Sequence, residues 1–175
     1  MIIESKLVSG KGKSILKCIK KKQRFDERCF LVLVLKIRLN DMEIKRLVSL
    51  QRNFFQTGKT LSYDFRERML NKLYKLIKDN ELLLEKALYK DLHKSFYESY
   101  ETEIGIILAE ITYFKKHLKK MMRPRHVSTP LHQFLSYGKI YMRPYGVVLN
   151  ISPWNYPIQL ALDTLVGSIA SGNCT

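Results

Sequence analysis

The sequence predicts an α/β fold, in which a helical amino-terminal arm leads into the first strand and helix of an incomplete parallel sheet. Three observations carry this expectation. Apolar residues recur at the helical period from Met42 to about Lys120. The period then drops to two at Lys139-Ile140-Tyr141-Met142-Arg143, the spacing of a half-buried strand. A short run rich in β-branched residues, VVLNI at 147–151, suits a buried parallel strand, and a proline-bearing turn and another apolar helix follow it.

The chain has 175 residues, 46% of them hydrophobic, enough to bury a core and to exclude wholesale disorder. Its 31 Lys and Arg stand against 16 Asp and Glu, a net charge of +15. Residues 1–41 hold 11 basic and 4 acidic groups, whereas residues 42–175 hold 20 and 12. The first quarter of the chain therefore supplies nearly half the excess. Such a balance speaks to association rather than to fold. Residues 1–41 read as a basic extension, with the cluster Lys20-Lys21-Lys22 and a strand-like stretch from Lys36 to Leu39 that lacks a partner.

From Met42 the elements follow in order. Ile44, Leu47, Val48 and Phe55 predict a first helix, which Thr57-Gly58 ends. Asp64 and Glu67 read as a capping box opening a second helix, whose stripe is Phe65, Met69, Leu73, Leu76 and Ile77. Leu83, Leu84, Ala87 and Leu88 continue that face to about Leu92. A third helix runs from near Tyr97 to Lys120 on Ile104, Ile107, Leu108, Ile111 and Phe114, and Pro124 and Pro130 end it.

Pro157 suits the first turn of the last helix, whose face is Ile158, Ala161, Leu162, Leu165, Val166 and Ile169, with Gly172 as its stop. A strand entering a crossover helix needs a second parallel strand, and none is apparent before Thr175. Residues 138–175 are therefore expected to be loosely held, aggregation-prone, or ordered only by a partner, since no sheet covers that last helix.

Several function classes drop out. Cys18, Cys29 and Cys174 are odd in number and form no C-x-x-C, which excludes a zinc ribbon or a dithiol redox motif. They are expected to be reduced thiols of a cytoplasmic protein. The longest apolar run, Cys29 to Leu35, is far short of the roughly 20 residues a membrane span needs, so no transmembrane segment is expected. It lies behind Arg24 and Arg28, too deep for a secretory signal. Gly12-Lys13-Ser14 and Gly58-Lys59-Thr60 lack the upstream glycine of a phosphate loop, with Leu7 and Asn53 in its place. No G-x-G-x-x-G is present.

His93, His117, His126 and His132 show no metal-ligand spacing, so no metal is expected. Lys115, Lys116, Lys119 and Lys120 form the solvated face of a helix and lack the interleaved aromatics of a nucleic-acid groove. No specific nucleic-acid partner follows from them. The alternative from another class is a non-catalytic module that binds nucleic acid or anionic membrane through its basic surface.

The informative stretch is PYGVVLNISPWNYP at 144–157, with IASGNC at 169–174. A strand that ends in a Pro-Trp-Asn turn at a helix start places polar groups where open α/β sheets bind ligands. With QRNFFQTGKT, FRERMLNKLYKLIKDNE and LYKDLHKS upstream, these motifs resemble the aldehyde dehydrogenase superfamily from about Met42 to Cys174. The resemblance is strongest to the branch of class 3 and fatty aldehyde dehydrogenases.

It implies an NAD or NADP cofactor, a Rossmann-like cofactor domain, an aldehyde substrate oxidised to a carboxylic acid, and a homo-oligomer when complete. Asn155, matching the asparagine of the family's P-W-N motif, would donate its side-chain amide to the oxyanion that develops as a thiolate attacks the carbonyl. Its other possible role is to cap the helix near Pro157. The backbone of Ile151, Ser152, Pro153 and Trp154 would border the nicotinamide, and Trp154 either walls the pocket or packs in the core. By the same resemblance, residues 1–41 have no counterpart in the family fold. Residues 42–137 form a helical arm, and residues 138–175 form a hairpin strand and the first β-α unit of a truncated cofactor-binding domain. The family's cofactor-contacting lysine, carboxylate base and nucleophilic cysteine are expected beyond Thr175, because Cys174 matches the small residue that closes the helix. The chain is thus expected to be an amino-terminal portion of an oxidoreductase, inactive by itself.

Overall fold

The computed structural model describes residues 41–133 and 135–175. The basic extension, its lysine cluster, the stretch from Lys36 to Leu39, Cys18 and Cys29 lie outside the described residues.

Helix α1 (Asp41–Gln56) ends at Thr57-Gly58, where Gly58 takes a left-handed conformation at φ +71°. A short 3₁₀ turn (Lys59–Leu61) leads to α2 (Tyr63–Asp79). The cap of α2 is Ser62, whose hydroxyl accepts from the Phe65 amide at 3.1 Å, and not Asp64. Asp64 instead sits in the first turn, where its charge suits the helix dipole. Helix α3 (Glu81–Leu92) restarts after Asn80, whose side chain donates to the Leu76 carbonyl.

The expected third helix is a rod with a wide turn in it. Helix α4 (Phe96–Ser99) passes through a π-helical turn (Tyr100–Ile104) into α5 (Gly105–Met121). Next comes an antiparallel ribbon, β1 (Arg125–Val127) paired with β2 (Gly138–Ile140), with Arg125 opposite Ile140. The strand expected over 139–143 therefore stops at Ile140. It also lies largely exposed rather than half-buried, with β1 as its one partner strand among the described residues. The last helix, α6 (Gln159–Ser171), ends at Gly172 as the sequence predicts.

The core is Leu70, Leu73 and Ile77 of α2, Leu84 and Leu88 of α3, Ile107, Ile111 and Leu118 of α5, and Leu165, Val166 and Ile169 of α6. Helix α6 packs on both α2 and α5. This corrects the expectation that its apolar face would wait for a sheet, since the helical arm itself covers that face. Each fully buried aliphatic side chain of this kind is worth about 1.5–3 kcal/mol, which is ample reason for the helix to dock.

Candidate functional site

The segment before the Pro-Trp-Asn turn pairs in parallel with the chain's end. Val147 bridges Cys174, the Val148 amide donates to the Cys174 carbonyl, and the Cys174 amide donates to the Gly146 carbonyl, both at 2.8 Å. Cys174 thus supplies a parallel bridge to Val147, a contact absent from the sequence-based expectation. The pairing stops there. Leu149 and Ile151 are 79% and 82% exposed, so the stretch 147–151 is not the buried strand expected, because Cys174 pairs with only its start. Asn173 accepts from the Gly146 amide through its side chain, and the Asn150 amide reaches the Ala161 carbonyl at 2.8 Å. Gln51 of α1 donates to the Thr175 carbonyl at 2.7 Å, tying the arm to this edge.

The turn is held from below by a buried ion pair. Glu103, in the π-helical turn, is fully buried, and Lys94, after α3, is nearly so. Lys94 Nζ lies 2.5 Å from Glu103 Oε1, donates to the Asn155 carbonyl at 3.3 Å, and stands 3.9 Å above the Tyr156 ring. Glu103 Oε2 accepts from the amides of Ile158 and Gln159 at 2.8 and 3.3 Å. These amides open α6, and a carboxylate there satisfies donors that no carbonyl of the helix can reach. Glu103 therefore takes the capping role that Asn155 could have played, since the N-cap of α6, Ile158, has no side-chain cap of its own.

Neither member of the pair stands out in the sequence, because a lysine and a glutamate read by default as surface. The available signal is Glu103 itself, an acid four residues before Ile107 on the apolar stripe of the third helix.

The far end of α6 is fixed by Arg66. Its Nε donates to the Thr60 carbonyl at 2.8 Å and its guanidinium to the Ala170 carbonyl at 3.2 Å. Burial pushes its pKa below the usual arginine value. With both ends of α6 clamped, the turn between the Val147 bridge and Ile158 is left on the surface. Ile151, Pro153, Trp154 and Asn155 are exposed, Trp154 at 79%, while Ser152 is half-buried. Trp154 is therefore no core residue.

The sequence model of a known family matches residues 34–175, a span that includes the strand edge, the Pro-Trp-Asn turn and the clamped helix. The chain belongs to the aldehyde dehydrogenase family. The family match begins upstream of Met42, where the resemblance was first legible. Over 120 residues the chain is 46% identical to the 4,4'-diaponeurosporen-aldehyde dehydrogenase of Staphylococcus aureus, covering 69% of this chain and 26% of that protein. It is 43% identical over 123 residues to aldehyde dehydrogenase family 3 member B1 of Rattus norvegicus, covering 70% and 26%. A solved structure of Staphylococcus aureus AldH in a substrate-bound state superposes with a TM-score of 0.72 at 44% identity, covering 77% of this chain and 29% of that one. The chain thus spans about a quarter of the length of these relatives and corresponds to their amino-terminal part.

Lys115 lies over the Tyr74 ring at 5.2 Å, while Lys116, Lys119 and Lys120 face solvent. Among the described residues no cluster of His, Cys, Asp or Glu could hold a metal, and no helix is long and apolar enough to cross a membrane.

Proposed function

We propose that this chain forms the amino-terminal part of an NAD(P)-dependent aldehyde dehydrogenase, an enzyme that oxidises aldehydes to carboxylic acids. In this reading residues 42–137 are the helical arm, and residues 138–175 open the cofactor-binding domain. The supporting observation is the exposed Pro153-Trp154-Asn155 turn, held between a parallel strand edge and the start of a clamped helix.

The residues present suit a nicotinamide ring. Ile151 and Trp154 leave apolar surface uncovered on the turn, and Ser152 and Pro153 bring backbone alongside it. The bound cofactor supplies the chemistry of hydride acceptance. The protein's contribution from this segment is electrostatic. The Asn155 side-chain amide donates a hydrogen bond to the aldehyde oxygen as charge builds on it, and a neutral donor does this without a proton leaving the site. A cytoplasmic setting, where thiols stay reduced, and assembly into a homo-oligomer belong to the same reading.

The chain alone gives no turnover. The Cys174 thiol is completely buried and cannot meet an aldehyde. Mixing the purified chain with NAD or NADP and a range of aliphatic and aromatic aldehydes should leave the cofactor unreduced. Reduction above a blank, abolished by Asn155→Ala, would overturn the reading of this chain as a non-catalytic part. The positive test grafts residues 42–175 in place of the matching segment of the Staphylococcus aureus relative. The chimera should oxidise aldehydes, and Asn155→Ala in it should lower kcat by about 10²–10³-fold, the usual cost of one oxyanion donor.

A further inference from the structure

We propose that Lys94 and Glu103 are positioning residues for the Asn155 amide, a role that rests on the oxyanion reading of Asn155. The pair grips the turn on both sides of that side chain. Lys94 Nζ holds the carbonyl of Asn155 itself, and Glu103 Oε2 holds the amides of Ile158 and Gln159, three and four residues on. Between them Tyr156 lies flat under the ammonium group, at 3.9 Å from ring centroid to Nζ. The direction in which the Asn155 amide can point is set by the peptide that Lys94 holds, because the side chain of an exposed residue has little else to fix it.

The placement of Glu103 is itself unusual. It lies in the π-helical turn between α4 and α5, where the Gly105 amide reaches back to the Tyr100 carbonyl, and such turns recur at functional sites. A buried ion pair is poor evidence for stability, since apolar residues of similar volume do as well. What apolar residues could not do is donate to the Asn155 carbonyl and accept from the first amides of α6 at once.

The decisive variant is the double substitution Lys94→Met with Glu103→Gln. It leaves no unpaired buried charge, and glutamine retains an acceptor for the Ile158 amide, so the helices should persist. Nitrogen-15 relaxation on the 175-residue chain then reads the turn directly. The wild-type Tyr156 amide should show an order parameter near 0.85, and the double variant a value below about 0.6, with residues 70–77 unchanged. If Tyr156 stays as ordered as in the wild type while the helices are intact, the positioning role is wrong, whatever Asn155 does.

In the chimera, the double variant should lower kcat about 10²-fold with KM little changed, the scale expected of a small misplacement. Adding Asn155→Ala should then bring the loss only to that of Asn155→Ala alone. A loss that simply multiplies with that of Asn155→Ala would overturn the proposal, because the pair would then act independently of the amide. Full activity of the chimera with Asn155→Ala alone would sink the oxyanion reading instead. The relaxation result distinguishes that failure from the first.

Discussion

The guanidinium of Arg66 occupies the space that a β-carbon on residue 172 would need. A Cβ built on Gly172 would lie 2.6 Å from one terminal nitrogen of Arg66 and 2.7 Å from its central carbon. Gly172 also sits at φ +90°, and its amide and that of Asn173 return to the Ile169 and Ser168 carbonyls at 3.0 Å, a Schellman ending. Glycine is thus required twice, by the backbone and by the arginine that caps the same helix.

Gly172→Ala should therefore destabilise the chain by at least about 2 kcal/mol, from the left-handed backbone and from displacement of Arg66. Arg66→Ala should cost about 1.5–3 kcal/mol by itself, since it abandons the Thr60 and Ala170 carbonyls. Combined, the two should cost less than their sum, because the clash disappears with the guanidinium. Urea denaturation of the four proteins completes the cycle, and strict additivity would mean that the two residues do not meet.

What was legible in the sequence follows from how each residue is used. The stripes of α2, α5 and α6 were legible because their periodicity is a direct record of burial. Gly172 was legible because a helix stop has its own chemistry. The cap of α2 was displaced by two residues because Ser62 and Asp64 both precede an apolar stripe, and only the backbone path decides between them. The stretch 147–151 overpredicted a buried strand, since strand burial depends on neighbours that the local pattern does not contain. Lys94 and Glu103 were hidden for the opposite reason. Their meaning lies wholly in contacts with residues about 55 to 61 positions away. Asn155 was singled out as a candidate only through the motif around it, because its side chain has no local signature.

The proposed role of Asn155 makes a charge prediction that a mere spacer would not. In the chimera, Asn155→Asp should be at least as damaging to kcat as Asn155→Ala, although it is nearly the same shape. A carboxylate cannot donate to the developing oxyanion and repels it, whereas alanine only withholds the hydrogen bond. Initial rates at saturating aldehyde would show this. An aspartate variant that is much faster than the alanine variant would mean that shape, not donation, is what position 155 supplies.

Asp163 gives the chain a pH-dependent cost. One of its carboxylate oxygens is buried without a hydrogen-bond partner, and burial raises its pKa, with Glu110 adding to the effect and a bond from Gln159 opposing it. The folded state therefore holds this proton more tightly than the unfolded chain, whose value is 3.8. Below that value the carboxyl is neutral in both states and the folded state carries no penalty. As pH rises through the raised folded value, the penalty appears and stays. Asp163→Asn should accordingly increase the urea midpoint at pH 7, and the gain should shrink towards zero near pH 3. A gain of equal size at both pH values would show that packing, not charge, is responsible.

The docking of α6 on the helical arm predicts a single cooperative unit. Val166 is fully buried, and Leu165 and Ile169 are nearly so, in the same cluster as Leu73 of α2 and Ile107 of α5. Leu165→Ala should then cost about 2–5 kcal/mol, as much as Leu73→Ala on the other side of the interface. The chain's one tryptophan, Trp154, lies five residues before α6 and reports on that end, whereas far-UV circular dichroism reports mainly on the more numerous helical residues of the arm. If the core is shared, both signals should change at one urea concentration, and Leu165→Ala should shift both together. Were residues 138–175 only loosely held, Trp154 fluorescence would change first and Leu165→Ala would leave the circular dichroism transition in place. Amide exchange separates the two cases again. Protection over residues 165–171 should match that over residues 70–77, because opening α6 would expose the buried faces of α2 and α5 at the same time.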